Sequence, residues 1–335
     1  MTSDNSPTVQ LMQAVSGGLS GACTRFITQP FDVLKIRFQM QVEPVADHHH
    51  SKYRGTLHAL AEIYREEGIR GIWKGHNVGQ MTSITYALVQ FWSYEQFSSA
   101  FTKNAFFKER DGLRYFLSGG LAGCLGVTAS QPFDLIRTMV VASDPKSHSS
   151  EMSTMRGLVT VWKLRGVRGL FRGLTFTLAQ IFPLVGLNFL LYKNFNKMVI
   201  LLKRRIMGPG DGLLLPPTLF VNGALAGVLS KAIVYPADFL KKRIQLGGFS
   251  HDRNMFGRNP NCPTLRECIV STLEHEGIMG FYKGLLPTLV KSGLATAVYF
   301  TFYDTMKLLF ITPLKEREAK ENARNADYSW PSPAK

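Results

Sequence analysis

Acid is what this sequence is short of. Only 24 Asp and Glu stand against 39 Lys and Arg in 335 residues, a net charge of +15, and charged residues of both signs make up 19%. Soluble globular chains usually carry about a quarter. The surplus of base suits nucleic acid, an anionic lipid surface or an anionic solute, and does not choose among them. Cysteine is scarce too. Cys23, Cys124, Cys262 and Cys268 form no Cys-x-x-Cys pair and no short disulfide framework, so they read as small buried residues or free thiols. His48, His49 and His50 lie in a polar stretch without partners at ligand spacing, which argues against a metal site. A phosphate-cradling P-loop and a Ser-His-Asp spacing are also missing. On these absences the chain reads as no enzyme, with no metal and no cofactor. The opening MTSDNSPTVQ carries Asp4, no Arg and no apolar core. It reads as a short N-terminal segment, residues 1–10, rather than a secretory signal or an Arg-rich presequence, so any organellar address is internal.

What is present is a threefold repeat. Apolar residues make up 45%, and a mean hydropathy of −0.01 hides long apolar stretches alternating with polar ones. Three segments about one hundred residues apart each carry a Gly-x-x-x-Gly pair: Gly17/Gly21, Gly119/Gly123 and Gly223/Gly227. The first glycine of each precedes a proline by thirteen residues, at Pro30, Pro132 and Pro236. Each proline opens a Pro-x-Asp-x-x-base motif, PFDVLKIR, PFDLIRTM and PADFLKKR. A Gly-x-x-x-x-aromatic-base-Gly box follows, at 68–75, 166–173 and 277–284. The repeats divide the chain at 11–105, 106–210 and 211–314, with a polar tail at 315–335.

Each repeat reads as two apolar segments long enough to cross a bilayer as helices. The first of each pair covers about 11–38, 113–140 and 217–244; the second covers about 76–100, 174–199 and 285–311. Short amphipathic stretches between them, such as 56–67 and 265–276, suit the membrane surface. The fold class is therefore all-α membrane protein, six transmembrane helices in three pseudo-threefold repeats with three surface helices. Small residues one turn apart let neighbouring helices approach closely. A proline inside a membrane helix kinks it, so three kinked helices should bring Asp32, Asp134 and Asp238 against Lys35, Arg137 and Lys241. Charges at a membrane helix bend, three times over, favour pairing between helices over pairing within each.

PFDVLKIR followed by EGIRGIWKG, in three versions, resembles the signature of the mitochondrial carrier family, and the resemblance covers about residues 11–311. It implies surface helices on the matrix side, both termini toward the intermembrane space, and alternating access through two gates around a central site in the inner membrane. Carried over, the matrix gate pairs Asp32 with Arg137, Asp134 with Lys241 and Asp238 with Lys35. Gln39 and Gln245 stand where the family places a bracing glutamine; Val141 stands there in repeat two and cannot brace. Met139 replaces the second base supplied by Arg37 and Arg243, and Arg165 replaces Glu67 and Glu276, which implies a less firmly held repeat two. The cytoplasmic gate is sparse: Tyr303, Asp304 and Lys307 fit the aromatic-acid-x-x-base pattern, Tyr94-Glu95 lacks its base, and Tyr192 is followed by Lys193. The resemblance further implies an anionic small-molecule substrate, membrane lipid (cardiolipin among the candidates) as partner, no nucleic acid, and a functional monomer.

Away from the gate motifs and helix ends, three charged residues remain in the membrane segments: Arg25, Lys231 and Lys291. A cation at mid-depth calls for a water-filled cavity and marks a solute path. Arg25 and Lys231 each precede their proline by five residues, with Val127 as the third member of that layer. A second layer holds Thr82, Gln180 (with Ile181 beside it) and Lys291, and a third Gln90, Asn188 and Tyr299. One side cationic and the other hydrogen-bonding suits a phosphate-bearing solute with a heteroaromatic body. Within the family, TRFITQPFDVLKIRFQMQ and SKAIVYPADFLKKRIQLGGF are similar to segments of carriers for thiamine pyrophosphate, which would be substrate and not cofactor. Nucleotides, deoxynucleotides and coenzyme A are the alternative solutes.

Overall fold

The computed structural model describes residues 7–42, 52–103, 107, 111–143, 154–207, 216–246, 264–306, 308–309 and 312–313. Each repeat supplies a long helix, a short helix and a long helix. Repeat one gives α1 (Pro7–Met40), α2 (Thr56–Ile72) and α3 (His76–Thr102); repeat two gives α4 (Asp111–Ala142), α5 (Thr154–Leu170) and α6 (Leu174–Met207). Repeat three gives α7 (Pro216–Leu246), α8 (Leu265–Gly280) and α9 (Leu285–Met306). The six long helices have 22 to 34 residues, and at 1.5 Å per residue the shortest spans about 33 Å, enough for a hydrocarbon core of about 30 Å. Three stretches also meet a membrane-span standard of hydropathy: Thr154–Arg205, Val221–Leu246 and Leu285–Met306. The helices α1, α3 and α4 are long enough but of mixed polarity. In α1, for example, Arg25, Asp32, Lys35 and Arg37 interrupt the apolar run. Pro30, Pro132 and Pro236 lie inside α1, α4 and α7, and each helix continues past its proline.

The short helices share one irregularity. Gly68, Gly166 and Gly277 break α2, α5 and α8 with φ of 65°, 64° and 68° and ψ of −163°, −166° and −171°. That region is closed to residues with a Cβ. Seven residues later Gly75, Gly173 and Gly284 are left-handed, at φ 73°, 82° and 83°, and turn the chain into the next long helix. The box glycines found in sequence are thus two backbone devices repeated three times.

Contacts group the chain into two units, Met1–Gln29 with Val290–Lys335, and Pro30–Leu289. In the first, Tyr299 of α9 brings its hydroxyl to 3.8 Å from where a Cβ on Gly17 would sit, and stacks on Tyr303 at 6.2 Å. In the second, α3 packs along α4 and α6 along α7, with α5 on α4 and α8 on α7. Gly123 meets Tyr86 and Gly223 meets Tyr192 in the manner of Gly17 and Tyr299, whereas Gly21, Gly119 and Gly227 have open space beside them. One glycine of each Gly-x-x-x-Gly pair therefore serves close approach, not both. The larger unit's core joins Val33, Leu34, Ile36 and Phe38 to Ala59, Ile63, Leu135, Ile136 and Val161. A second cluster gathers Phe239, Leu240, Ile244 and Cys268. Elsewhere large apolar side chains point outward: Leu88, Phe91 and Trp92 on α3 are 67%, 73% and 64% exposed. Such surface is foreign to a water-facing protein and natural against lipid.

Cysteine brings one correction. Cys23 and Cys124 are free, but Cys268 is disulfide-bonded. Spacing along the chain does not limit which thiols meet in space. Cys262, the His48, His49 and His50 run and the tail from residue 315 lie outside the described residues.

Candidate functional site

The carboxylate of each Pro-x-Asp motif pairs with a base on another repeat. Arg137 donates to Asp32 at 2.6 Å, Lys241 lies 3.1 Å from Asp134, and Lys35 lies 2.5 Å from Asp238. Asp134 has gathered more than one partner. Lys242 donates to both its oxygens at 3.0 Å and to Thr138 Oγ1 at 2.9 Å, and Gln245 donates to Oδ2 at 3.1 Å. Sequence reasoning missed Lys242. The signal was the extra base in PADFLKKR, which PFDVLKIR lacks. Gln39 behaves differently from Gln245: its amide donates to the Tyr235 hydroxyl at 3.1 Å, not to a carboxylate. The reason lies in the residue before the proline, a tyrosine in repeat three where Gln29 and Gln131 stand in the others. The phenol reaches across, takes the amide, and donates onward to the Lys283 carbonyl at 2.8 Å. Val141 is fully buried, and its Cγ2 lies 2.8 Å from where a Cβ on Gly75 would be.

A second tier of charge ties the long helices to the boxes. Arg37 lies 2.6 Å from Glu67, and Lys74 lies 3.4 Å from the same carboxylate. In repeat three Arg243 and Lys283 both bond Glu276. These cations also cap helix ends, where carbonyls lack intrahelical partners. Lys74 donates to the Ser143 carbonyl at 2.8 Å, and Lys283 to those of Gln41 and Val42 at 3.0 and 2.9 Å. Arg243 adds bonds to the Gln39 and Gln41 carbonyls. In repeat two Met139 stands for the guanidinium and Arg165 for the carboxylate, so both bridges to that carboxylate are lost, and Arg172, at the place of Lys74 and Lys283, meets the like charge of Arg165 instead. Burial alone would raise the Glu67 carboxyl, but the hydrogen bond and charge of Arg37, with Lys74 behind it, hold it below its usual value. Burial pushes the neighbouring Tyr53 phenol up to about 12, against the pull of Arg37.

Among the expected solute contacts, Lys231 and Gln180 meet. They line a cavity of about 200 Å³ with Leu184, Val234, Tyr235, Lys35 and Asp238. Gln180 Oε1 is buried there without a hydrogen-bond partner among the described residues, an arrangement that a ligand donor would complete. Thr82, Gln90, Ile181 and Asn188 do not line this cavity. Thr82 bonds its own helix at the Val78 carbonyl, Gln90 lies near the Tyr86 hydroxyl, Ile181 is half-buried and Asn188 is exposed. Arg25, Lys291 and Tyr299 belong to the other unit, where Arg25 and Lys291 are half-buried. At the far end of α3, Glu95 is exposed in an open cleft of about 540 Å³ with Tyr94, Ser98, Ser99, Thr102 and Lys103. Asp304 is exposed as well, and among the described residues neither acid carries an ion pair. Lys307 lies outside the described residues.

Comparison with known proteins agrees with the repeat. The family model for mitochondrial carrier proteins matches residues 7–105, 108–202 and 214–314. The mitochondrial thiamine pyrophosphate carrier of Macaca fascicularis is 37% identical over 305 residues, 90% of this chain and 92% of that one. Its namesake in Homo sapiens is 38% identical, over 87% of this chain and 89% of that one. The mitochondrial thiamine diphosphate carrier 2 of Zea mays is 35% identical, over 88% and 92% respectively.

Proposed function

The chain belongs to the mitochondrial carrier family, and we propose that the solute it moves across the mitochondrial inner membrane is thiamine pyrophosphate. It is a multi-pass transporter, all-α, with six transmembrane helices in three repeats. The observation that carries the substrate is the cavity lined by two ammonium groups, Lys231 and Lys35, and by Gln180, whose Oε1 has no hydrogen-bond partner among the described residues. The lysines suit a diphosphate, and Gln180 suits an amino group on a heteroaromatic ring. Arg25 and Lys291 are assigned to the same anion, and Thr82, Gln90, Ile181, Asn188 and Tyr299 to the organic part, by repeat position alone.

Transport runs by alternating access. Asp32–Arg137, Asp134–Lys241 and Asp238–Lys35 form the matrix gate, with Gln245 as a brace on Asp134. Glu95, Asp304 and Lys307 form the sparser opposite gate. Both termini face the intermembrane space, and thiamine pyrophosphate enters the matrix in exchange for another phosphorylated solute.

The second reading, a nucleotide, deoxynucleotide or coenzyme A carrier, is favoured by the same lysines. Uptake of labelled thiamine pyrophosphate into liposomes holding the purified protein separates the two. Unlabelled thiamine pyrophosphate should compete at concentrations where nucleotides and coenzyme A do not. Saturable uptake of a nucleotide with none of the thiamine compound would move the assignment to the second reading.

A further inference from the structure

The three gate pairs are not equivalent toward the cavity. Lys35 and Asp238 both line it, while Asp32, Arg137, Asp134 and Lys241 do not. Its wall on α7 is one helical face: Lys231, Val234, Tyr235 and Asp238 fall at i, i+3, i+4 and i+7. Gln180 and Leu184, one turn apart on α6, face it, and Lys35 enters from α1. One carboxylate and two ammonium groups therefore share the space, leaving it one positive charge in excess.

The partners at the three seams differ too. Asp134 accepts from Lys241, Lys242 and Gln245. Asp32 is held by a planar guanidinium, which is less adaptable than an ammonium on a flexible stem. Asp238 has Lys35 as its one ion-pair partner among the described residues, and the glutamine that could have braced it is bound to Tyr235 instead. The Lys35 ammonium already has a second neighbour, the face of the Tyr235 ring at 6.0 Å from its centroid. It can shift within the cavity without leaving favourable surroundings.

We propose that Lys35 is a direct ligand of the solute's second phosphate, so that a diphosphate anchored at Lys231 draws Lys35 off Asp238 and opens that seam before the other two. This rests on the reading of the solute as a diphosphate ester. A monophosphate at Lys231 offers Lys35 no second phosphate and leaves the pair closed. Discrimination between the two charge states thus comes from the gate itself rather than from a separate pocket.

The test is a binding cycle on purified full-length protein, read as thermal-shift titrations with thiamine pyrophosphate against thiamine monophosphate, and with inorganic pyrophosphate against phosphate. Lys35→Gln should lower the preference for the diphosphate member of each pair by about tenfold, while Arg137→Gln, which breaks another gate pair, should leave that ratio as it is in the wild type. Asp238→Asn releases Lys35 and should tighten diphosphate binding several-fold. An unchanged ratio in Lys35→Gln, an equal loss in Arg137→Gln, or no gain in Asp238→Asn each overturns the assignment. If Lys35→Gln does not fold, Asp238→Asn still decides. Wild-type protein that binds pyrophosphate but ignores thiamine compounds would remove the substrate assignment. The Lys35 assignment would then stand or fall on the inorganic pair.

Discussion

At the scale of single residues, Gly284 shows how closely the box is fitted to the gate. Its φ of 83° disfavours any side chain, and a Cβ there would come 2.9 Å from the Tyr235 hydroxyl and 3.0 Å from the Lys35 carbonyl. The obstacle includes backbone, which cannot rotate away. Gly68 is strained in φ but has open space around its Cβ position. Gly293 lies within α9 with neither constraint, so alanine there should be neutral or helpful to the helix. Melting temperatures should fall most for Gly284→Ala, less for Gly68→Ala, and not for Gly293→Ala. An equal fall at 68 and 284 would mean that strain alone matters and the approach to Lys35 does not. Glu67 offers a second handle. Its carboxyl sits below its usual 4.5 because Arg37 and Lys74 outweigh burial, so its contribution is complete above that value and is lost as pH falls through the depressed one. Glu67→Gln should remove that part of the acid sensitivity while lowering stability at neutral pH.

At the scale of elements, the short helices separate repeat two from its neighbours. In repeats one and three the Arg37–Glu67 and Arg243–Glu276 bridges join a long helix to the box that follows it. Repeat two has Met139 and Arg165 at those places, so neither change alone can rebuild the link. Arg165→Glu would face Arg172, the box base that now stands against a like charge, and Met139→Arg would bring a further cation to the two already there. Arg165→Glu should melt at or above the wild type, Met139→Arg below it, and the double variant above both by more than additivity allows. Additive singles would show that the two positions do not meet. Sequence made both departures visible, because the repeats can be laid against each other. It could not show that they are one interaction, since that depends on how the box folds back at Gly166. Gln39 illustrates the same limit. Its position marks a brace, but its partner was decided by Tyr235, one residue outside the motif. Lys242 was legible only as an extra base, and its place on Asp134 required the side-chain geometry. The prolines, the Asp-base motifs and the box glycines carried the fold, because each is a backbone constraint or an ion pair between repeats that recurs without regard to cargo.

For the whole molecule, the two gates proposed above are unequally locked. The Asp-base gate has three acids and four bases with a glutamine in support; the acids proposed for the other gate, Glu95 and Asp304, are each exposed and, among the described residues, without ion pairs. Buried pairs are costly to break one partner at a time, while exposed ones contribute on the order of 1 kcal/mol or less. On the proposed assignment of the gates, the balance without solute therefore favours the state closed at the Asp-base gate and open toward the cytosol. A cysteine at Val234, which lines the cavity, reports this directly once Cys23 and Cys124 are replaced by serine. A membrane-impermeant maleimide should label Val234→Cys in proteoliposomes from the cytosolic side and not from the matrix side. Adding Asp32→Asn, Asp134→Asn and Asp238→Asn removes the acids of all three pairs and should open labelling from the matrix side. Equal labelling from both sides in the protein with its three acids intact would mean that the ion pairs do not hold the resting state. Labelling from the matrix side alone would reverse the assignment of the closed end.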